Sequence, residues 1–182
     1  MSKEVIGIVG TIAAGKDTAG DHISDAFNIP SFQISSVLKE ICAKNGVIPS
    51  RDNLIALGTQ LAADHGDGYL AEYILKQMPQ RAVITGMRQL GQIAVLEFSS
   101  NLTLLSIDAG SSIRFDRTRK NDMLGEAKSL EEFVAREIAE NSAPNAQRLF
   151  EVMDLAKFHL TNENSVEDLY AQLDLILLNG KK

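Results

Sequence analysis

Residues 5–18 read VIGIVGTIAAGKDT, an apolar run that ends in a glycine-bearing loop and a lysine. Val5, Ile6, Ile8 and Val9 leave almost no polar alternation, the pattern of a strand buried on both faces. From Lys16 to Phe27, Ala19, Ile23 and Ala26 recur at helical spacing. Gly10-x4-Gly15-Lys16 sits between the two. Strand, glycine loop, helix is the order an anion-binding loop requires. Glycines let the backbone curl until successive N–H groups converge on one anion. The helix N-terminus adds a partial positive charge and Lys16 a full one. The competing reading is an ordinary glycine-rich turn with a solvated lysine, and the correct context on both sides weighs against it.

Outward from this loop, short β-branched runs alternate with longer helical ones. Ser31–Ser35, Arg81–Gly86, Leu102–Gly110 and the stretch FHLTN (158–162) read as further strands. Between them lie helical patterns, including SSVLKEICAKNG (35–46) opened by a serine cap and two patterns broken at His65–Gly68. Ser129 with Glu132, and Ser165 with Asp168, have capping-box spacing. The alternation predicts an α/β fold with a doubly wound, mostly parallel sheet in one domain over residues 1–182.

A net charge of −6 lacks the basic footprint of a nucleic-acid binder but leaves room for a locally cationic pocket. Cys42 is the sole cysteine, so neither an intramolecular disulfide nor a cysteine-built metal site is expected. No stretch approaches the roughly 20 apolar residues of a membrane span. The N-terminus enters a strand-like run without a signal-peptide core, so a cytoplasmic protein is expected, monomeric or homodimeric.

The loop departs from the commonest phosphate-loop pattern, since Asp17 follows the lysine and Thr18 comes one place late. GKDT resembles the loops of phage-type deoxynucleotide monophosphate kinases and parallels the GKGT form of adenylate kinases. RDNLIALGTQLAADHGDGYLAEYIL (51–75), VITGMR (83–88), SIDAGSSIRFDRTRK (106–120) and FHLTNENSVEDLYAQL (158–173) resemble, in order, segments of adenylate-kinase-related P-loop kinases. The resemblance implies a P-loop NTPase three-layer fold with a five-stranded parallel sheet. It also implies a helical acceptor-binding region near residues 35–78 and a small lid near 114–128. Its implied ligands are ATP, Mg²⁺ and a small phosphorylated acceptor, with no nucleic-acid or membrane partner.

On that resemblance Gly10, Thr11, Ala13, Ala14, Gly15, Lys16, Asp17 and Thr18 hold the donor nucleotide, with Asn162 on the base side. Asp17 and Thr18 stand nearest the metal. Arg51, Arg88 and Ser36 face the acceptor, the arginines because a planar guanidinium suits bidentate phosphate binding. Lys16, Arg88, Arg114 and Arg117 are the catalytic set, the last two as lid arginines over the transferring group, with Arg119 beside them. A salt-bridged solvated face involving Asp116 and Asp122 competes for the lid arginines. A turn role competes for Asn162, and a cap or turn role for Asp108. His65 reads as structural.

Two acidic positions of the family pattern are absent. Thr85 stands where the family carries the aspartate of D-G-x-R, and Ser36 where relatives carry an acceptor-side aspartate. The expected activity is ATP-dependent phosphoryl transfer to a nucleoside or deoxynucleoside monophosphate. A hydroxyl kinase resembling the dephospho-coenzyme A kinases is one alternative. A nucleotide-binding module with impaired catalysis is the other.

Overall fold

The VIGIVG run forms β1 (Lys3–Gly10), the middle strand of a five-stranded sheet in a computed structural model that describes residues 2–120, 127–142 and 147–179. After it come α1 (Lys16–Phe27), β2 (Ser31–Gln33), α2 (Ile34–Lys44), α3 (Arg51–His65) and α4 (Tyr69–Gln77). The chain continues through β3 (Arg81–Thr85), α5 (Leu90–Ser99), β4 (Ser100–Asp108) and α6 (Ser111–Lys120). It closes with α7 (Leu130–Ser142), α8 (Leu149–Asp154), β5 (Phe158–Thr161) and α9 (Val166–Asn179).

The sheet order is β2-β3-β1-β4-β5, with every pair parallel. The predicted strand count and direction therefore match. Alternate residues of β1 feed two cores, which is why its sequence shows no polar phase. Val5 and Val9 pack with Ile34, Leu70, Ile74, Met87 and Ile93 beneath α2, α4, α5 and α8. Ile8 packs with Ala19, Ile23, Leu169 and Leu173 of α1 and α9 on the other face. The result is helix, sheet, helix in three layers.

Several local expectations shift. The helix after β2 starts at Ile34 behind Gln33, with no side-chain cap, so the serines lie inside its first turn. β4 begins at Ser100, two residues early, because its edge pairs with Lys3 at the base of β1. The six-residue α8 had no periodic signal to announce it. Both capping spacings do cap: Ser129 Oγ accepts from Glu132 N at 3.2 Å, and Ser165 Oγ accepts from Asp168 N at 3.1 Å.

α3 differs from its neighbours. None of its fifteen residues is buried, and Leu54, Leu57 and Leu61 reach the core only as half-covered side chains. Of the expected lid near 114–128, residues 114–120 of α6 and residues 127–128 are described, whereas residues 121–126 lie outside the described residues and with them Asp122. No described helix is long and apolar enough to cross a membrane.

Candidate nucleotide and acceptor site

Each strand of a parallel sheet delivers its C-terminal end to the same edge, and ligands of such sheets collect there. At the end of β1 the chain turns through Ala13 at φ 58° and Gly15 at φ 98°, both left-handed. A Cβ on Gly15 would lie 2.4 Å from Asn162 Nδ2, so only glycine fits. A Cβ on Gly10 would fall 2.2 Å from the Ile107 carbonyl oxygen, where β1 and β4 press closest. The first turn-to-turn bond of α1 runs from Ala19 N to Gly15 O at 2.9 Å. The N–H groups of residues 16–18 precede it, and no side chain caps the helix. A cradle of backbone donors beside a lysine results, and it fits a polyphosphate.

A cleft of about 390 Å³ opens over this cradle, lined by Ala13, Gly15, Lys16, Asp17, Thr18, Arg117 and Asn162. Seven sequence-selected residues thus share one cavity. Asn164, Val166 and Leu169 complete the wall, and the sequence reading did not single them out. Their signal was position alone: they follow Asn162 in the loop and first turn after β5.

The loop is braced from behind by β4 and the β5 loop. Thr11 is buried, and its hydroxyl donates to Asp108 Oδ1 at 2.5 Å. The same oxygen accepts from Ala109 N at 2.8 Å. Asp108 therefore joins the end of β4 to the loop, the cap or turn role that competed with a place at the active edge of the sheet. Asn162 Nδ2 donates to Ala14 O at 2.8 Å, and its own N–H donates to Asp108 O at 2.8 Å. Its amide braces the loop, which is the turn role rather than a free base-reading side chain.

The lid arginines separate. Arg117 donates to Ala13 O at 3.3 Å and Asn162 O at 2.9 Å, and no carboxylate pairs with it among the described residues. Its charge is left to face the cleft. Arg114 does not line the cleft. It is 4% exposed, donates to Ala109 O through Nε, and forms a two-pronged pair with Glu137 at 2.7 and 2.8 Å. Phe133 covers its guanidinium at 5.4 Å. Among the described residues Arg114 is thus held in a buried pair away from the cleft, with Glu137 as its partner and Asp108 Oδ1 3.5 Å from its Nε. Arg119 lies over the Phe115 ring at 5.9 Å. Glu137→Ala strands a buried guanidinium, and the expected loss is about 3–5 kcal/mol of stability. Urea unfolding checks it; an unchanged midpoint would mean the pair is not what anchors α6 to α7.

Arg88 follows β3, and Gln92 Oε1 accepts from its N–H at 2.8 Å. Gln147 Oε1 accepts from Arg88 Nη1 at 2.6 Å. Arg51, in the first turn of α3, grips Glu140 of α7 through Nε and Nη2 at 2.8–2.9 Å. Glu140 also lies 4.0 Å from Arg88. Two arginines far apart in sequence thus meet around one carboxylate. Ser36 is exposed in the first turn of α2 and donates to Gln33 Oε1 at 3.4 Å. The structure does not bring it into the arginine cluster. His65 stacks on Tyr69 at 4.5 Å.

Charge ties the two halves together. Burial pushes the Lys16 ammonium below its usual range; the Asp17 carboxylate opposes this, and the charges of Arg88 and Arg51 add to it. Burial likewise lowers Arg88, with Arg51 adding and Glu140, Asp17 and Glu137 opposing. Asp17 Oδ2 is 3.5 Å from Lys16 Nζ, and Thr85 Oγ1 is 3.4 Å from Asp17 Oδ1. Asp17 is half exposed, between the glycine loop and the two arginines whose charges it opposes. With Thr18 beside it in the cleft wall, it offers hard oxygen ligands suited to Mg²⁺ alongside a polyphosphate.

No family model matches the chain. It is 26% identical over 177 residues to a "UPF0200 protein" of Hyperthermus butylicus, covering 95% of this chain and 92% of the relative. Among solved structures, the shikimate kinase of Acinetobacter baumannii in complex with shikimate superposes with a TM-score of 0.63 at 16% identity, over 99% of this chain and 96% of that one. The shikimate kinase of Aquifex aeolicus gives 0.58 at 17% identity, over 97% of each chain. These likenesses fit the sheet order and the glycine loop: the fold is that of the P-loop kinases.

Proposed function

We propose that the protein is an ATP-dependent phosphotransferase whose acceptor is a small phosphate monoester, a nucleoside or deoxynucleoside monophosphate first. One observation carries this reading: Lys16 and the uncapped start of α1 face a nucleotide-sized cleft on one side, while Arg88 and Arg51 converge on the other. The kinase fold of the neighbours supports it.

In this reading the backbone of residues 13–18 and Lys16 hold the donor's β- and γ-phosphates. Mg²⁺, when bound, would supply charge neutralisation of those oxygens, and Asp17 and Thr18 are the side chains that would hold it. Arg88 and Arg51 orient the acceptor phosphate in line with the γ-phosphate. Arg117, tied to both walls of the cleft, adds positive charge where the transferring group passes. No general base is assigned, because a phosphate acceptor is already an anionic nucleophile.

A second reading has one observation in its favour. The exposed Asp17 carboxylate, between the donor loop and the arginines, could accept a proton from a hydroxyl acceptor. ADP formation from Mg-ATP, measured across nucleoside monophosphates, dephospho-coenzyme A and shikimate, separates the two. Turnover with monophosphates is expected. Turnover with a hydroxyl acceptor alone favours the second reading, and tight ATP binding with no turnover favours a binding module.

A further inference from the structure

The pair between Arg51 and Glu140 has the geometry of a ligand complex. Three hydrogen bonds of 2.8–2.9 Å join the guanidinium to both carboxylate oxygens, and the two side chains are 27% and 16% exposed. Arg88 stands 4.0 Å away on the same carboxylate. Glu140 comes from α7, near its C-terminal end, and Gln147 N donates back to its carbonyl at 3.0 Å. Gln147 in turn holds Arg88. Glu140 and Gln147 therefore occupy both arginines with an anion and an amide oxygen, the groups an incoming oxyanion would have to replace.

We propose that Glu140 is the internal occupant of the acceptor's anion slot, displaced when the acceptor binds, and that it thereby restricts the acceptor to dianionic phosphate monoesters. The proposal rests on the reading that Arg51 and Arg88 hold the acceptor.

The charge balance gives the selectivity. Two guanidiniums carry two positive charges, and Glu140 neutralises one. A phosphate monoester carries about −1.5 to −2 at neutral pH, with a second pKa near 6, and neutralises both. It also offers three oxygens to two forks, where a carboxylate offers two. A dianion gains on the exchange. A monoanion such as a carboxylate or a phosphodiester merely replaces one single charge with another and has no advantage over the tethered Glu140. Occupation by Glu140 also lowers apparent affinity, since only the fraction of molecules with the slot open binds the acceptor.

Calorimetric titration of the full chain at pH 8 with inorganic phosphate, and separately with acetate, tests this. Wild type, Glu140→Gln and Glu140→Gln combined with Arg51→Met are compared. Phosphate bound at the glycine loop is common to all three and cancels. Removing the internal anion is expected to tighten phosphate by about tenfold, and the gain should vanish when Arg51 is also replaced. Acetate should bind measurably to the glutamine variant only. Equal or weaker phosphate binding in Glu140→Gln overturns the proposal, because Glu140 would then be a fixed support for the arginines. Glu140→Asp keeps the charge but retracts it by one methylene. It carries the same comparison, with a smaller gain, should the glutamine variant not fold.

The outcome is separable from the kinase reading. Monophosphate turnover with an acceptor KM unmoved by Glu140→Gln removes the slot and leaves the kinase. Arg51-dependent tightening of phosphate without turnover of any monophosphate keeps the slot and removes the kinase.

Discussion

Lys16→Ala is expected to lower kcat for phosphoryl transfer by about 10²–10³, the range for removing one preorganised electrostatic contact to a developing charge. Lys16 is only 14% exposed, and its ammonium is held below its usual pKa by burial and by two arginines. The one carboxylate paired with it among the described residues, Asp17, is 3.5 Å away. The charge is poorly solvated and incompletely paired until a polyphosphate arrives. A large share of its interaction energy is therefore available to the donor and the transition state. The same reasoning predicts that the alanine variant melts no lower than wild type, since deleting an under-compensated buried charge does not weaken the fold. Initial-rate assays with a monophosphate acceptor and a thermal melt check both halves. A kcat within threefold of wild type would remove Lys16 from the mechanism.

Asp17→Asn is the second large effect, an expected loss of about 10²-fold in the Mg²⁺-dependent rate, with the Mg²⁺ needed for half-maximal rate rising. Where the adenylate-kinase-related sequences it resembles carry an aspartate at the end of β3, this chain has Thr85, whose Oγ1 lies 3.4 Å from Asp17 Oδ1. Asp17 thus reaches, from α1, the space a carboxylate on β3 would fill. The charge can be moved back: Asp17→Asn with Thr85→Asp should recover at least about tenfold over Asp17→Asn alone. Thr85 is 1% exposed and close to Asp in size, so the exchange is conservative in volume. If Asp17→Asn keeps its full rate at every Mg²⁺ concentration, Asp17 does not organise the metal. If the double variant recovers nothing, the carboxylate must act from α1 itself.

How much of this was legible in the sequence follows from how far apart the causes lie. β1 announced itself because both its faces are buried, leaving an unbroken apolar run. The donor loop was legible because strand, glycines, lysine and helix are contiguous and the chemistry is largely in the backbone. Helix boundaries failed where a neighbour decides them. The serines of α2 looked like caps, yet pairing of β2 with β3 carries the chain straight into Ile34. The acceptor half was harder. Glu137 and Glu140 look like solvated residues of an acidic helix until the fold sets Arg114 and Arg51 opposite them. Arg114 and Arg117 are three residues apart on one basic helix and looked equivalent. Residues three apart on a helix point about 60° apart, and that offset sends one to Glu137 and the other to the cleft.

α3 shows what such an arrangement costs and permits. It carries Arg51 but has no fully buried side chain. Its attachment rests on three half-covered leucines, a serine cap and the Glu140 pair. Segments so weakly buried open locally at free energies well below that of global unfolding. On the proposed displacement of Glu140, an acceptor that takes over Arg51 removes one of the helix's few anchors and supplies the ligand as a replacement. The acceptor thereby becomes part of what holds its own binding helix down, and a share of its affinity goes into ordering that helix rather than appearing as tight binding. In catalytic terms, a truncated acceptor lacking its phosphate would forfeit rate as well as affinity, because nothing would draw α3 into place.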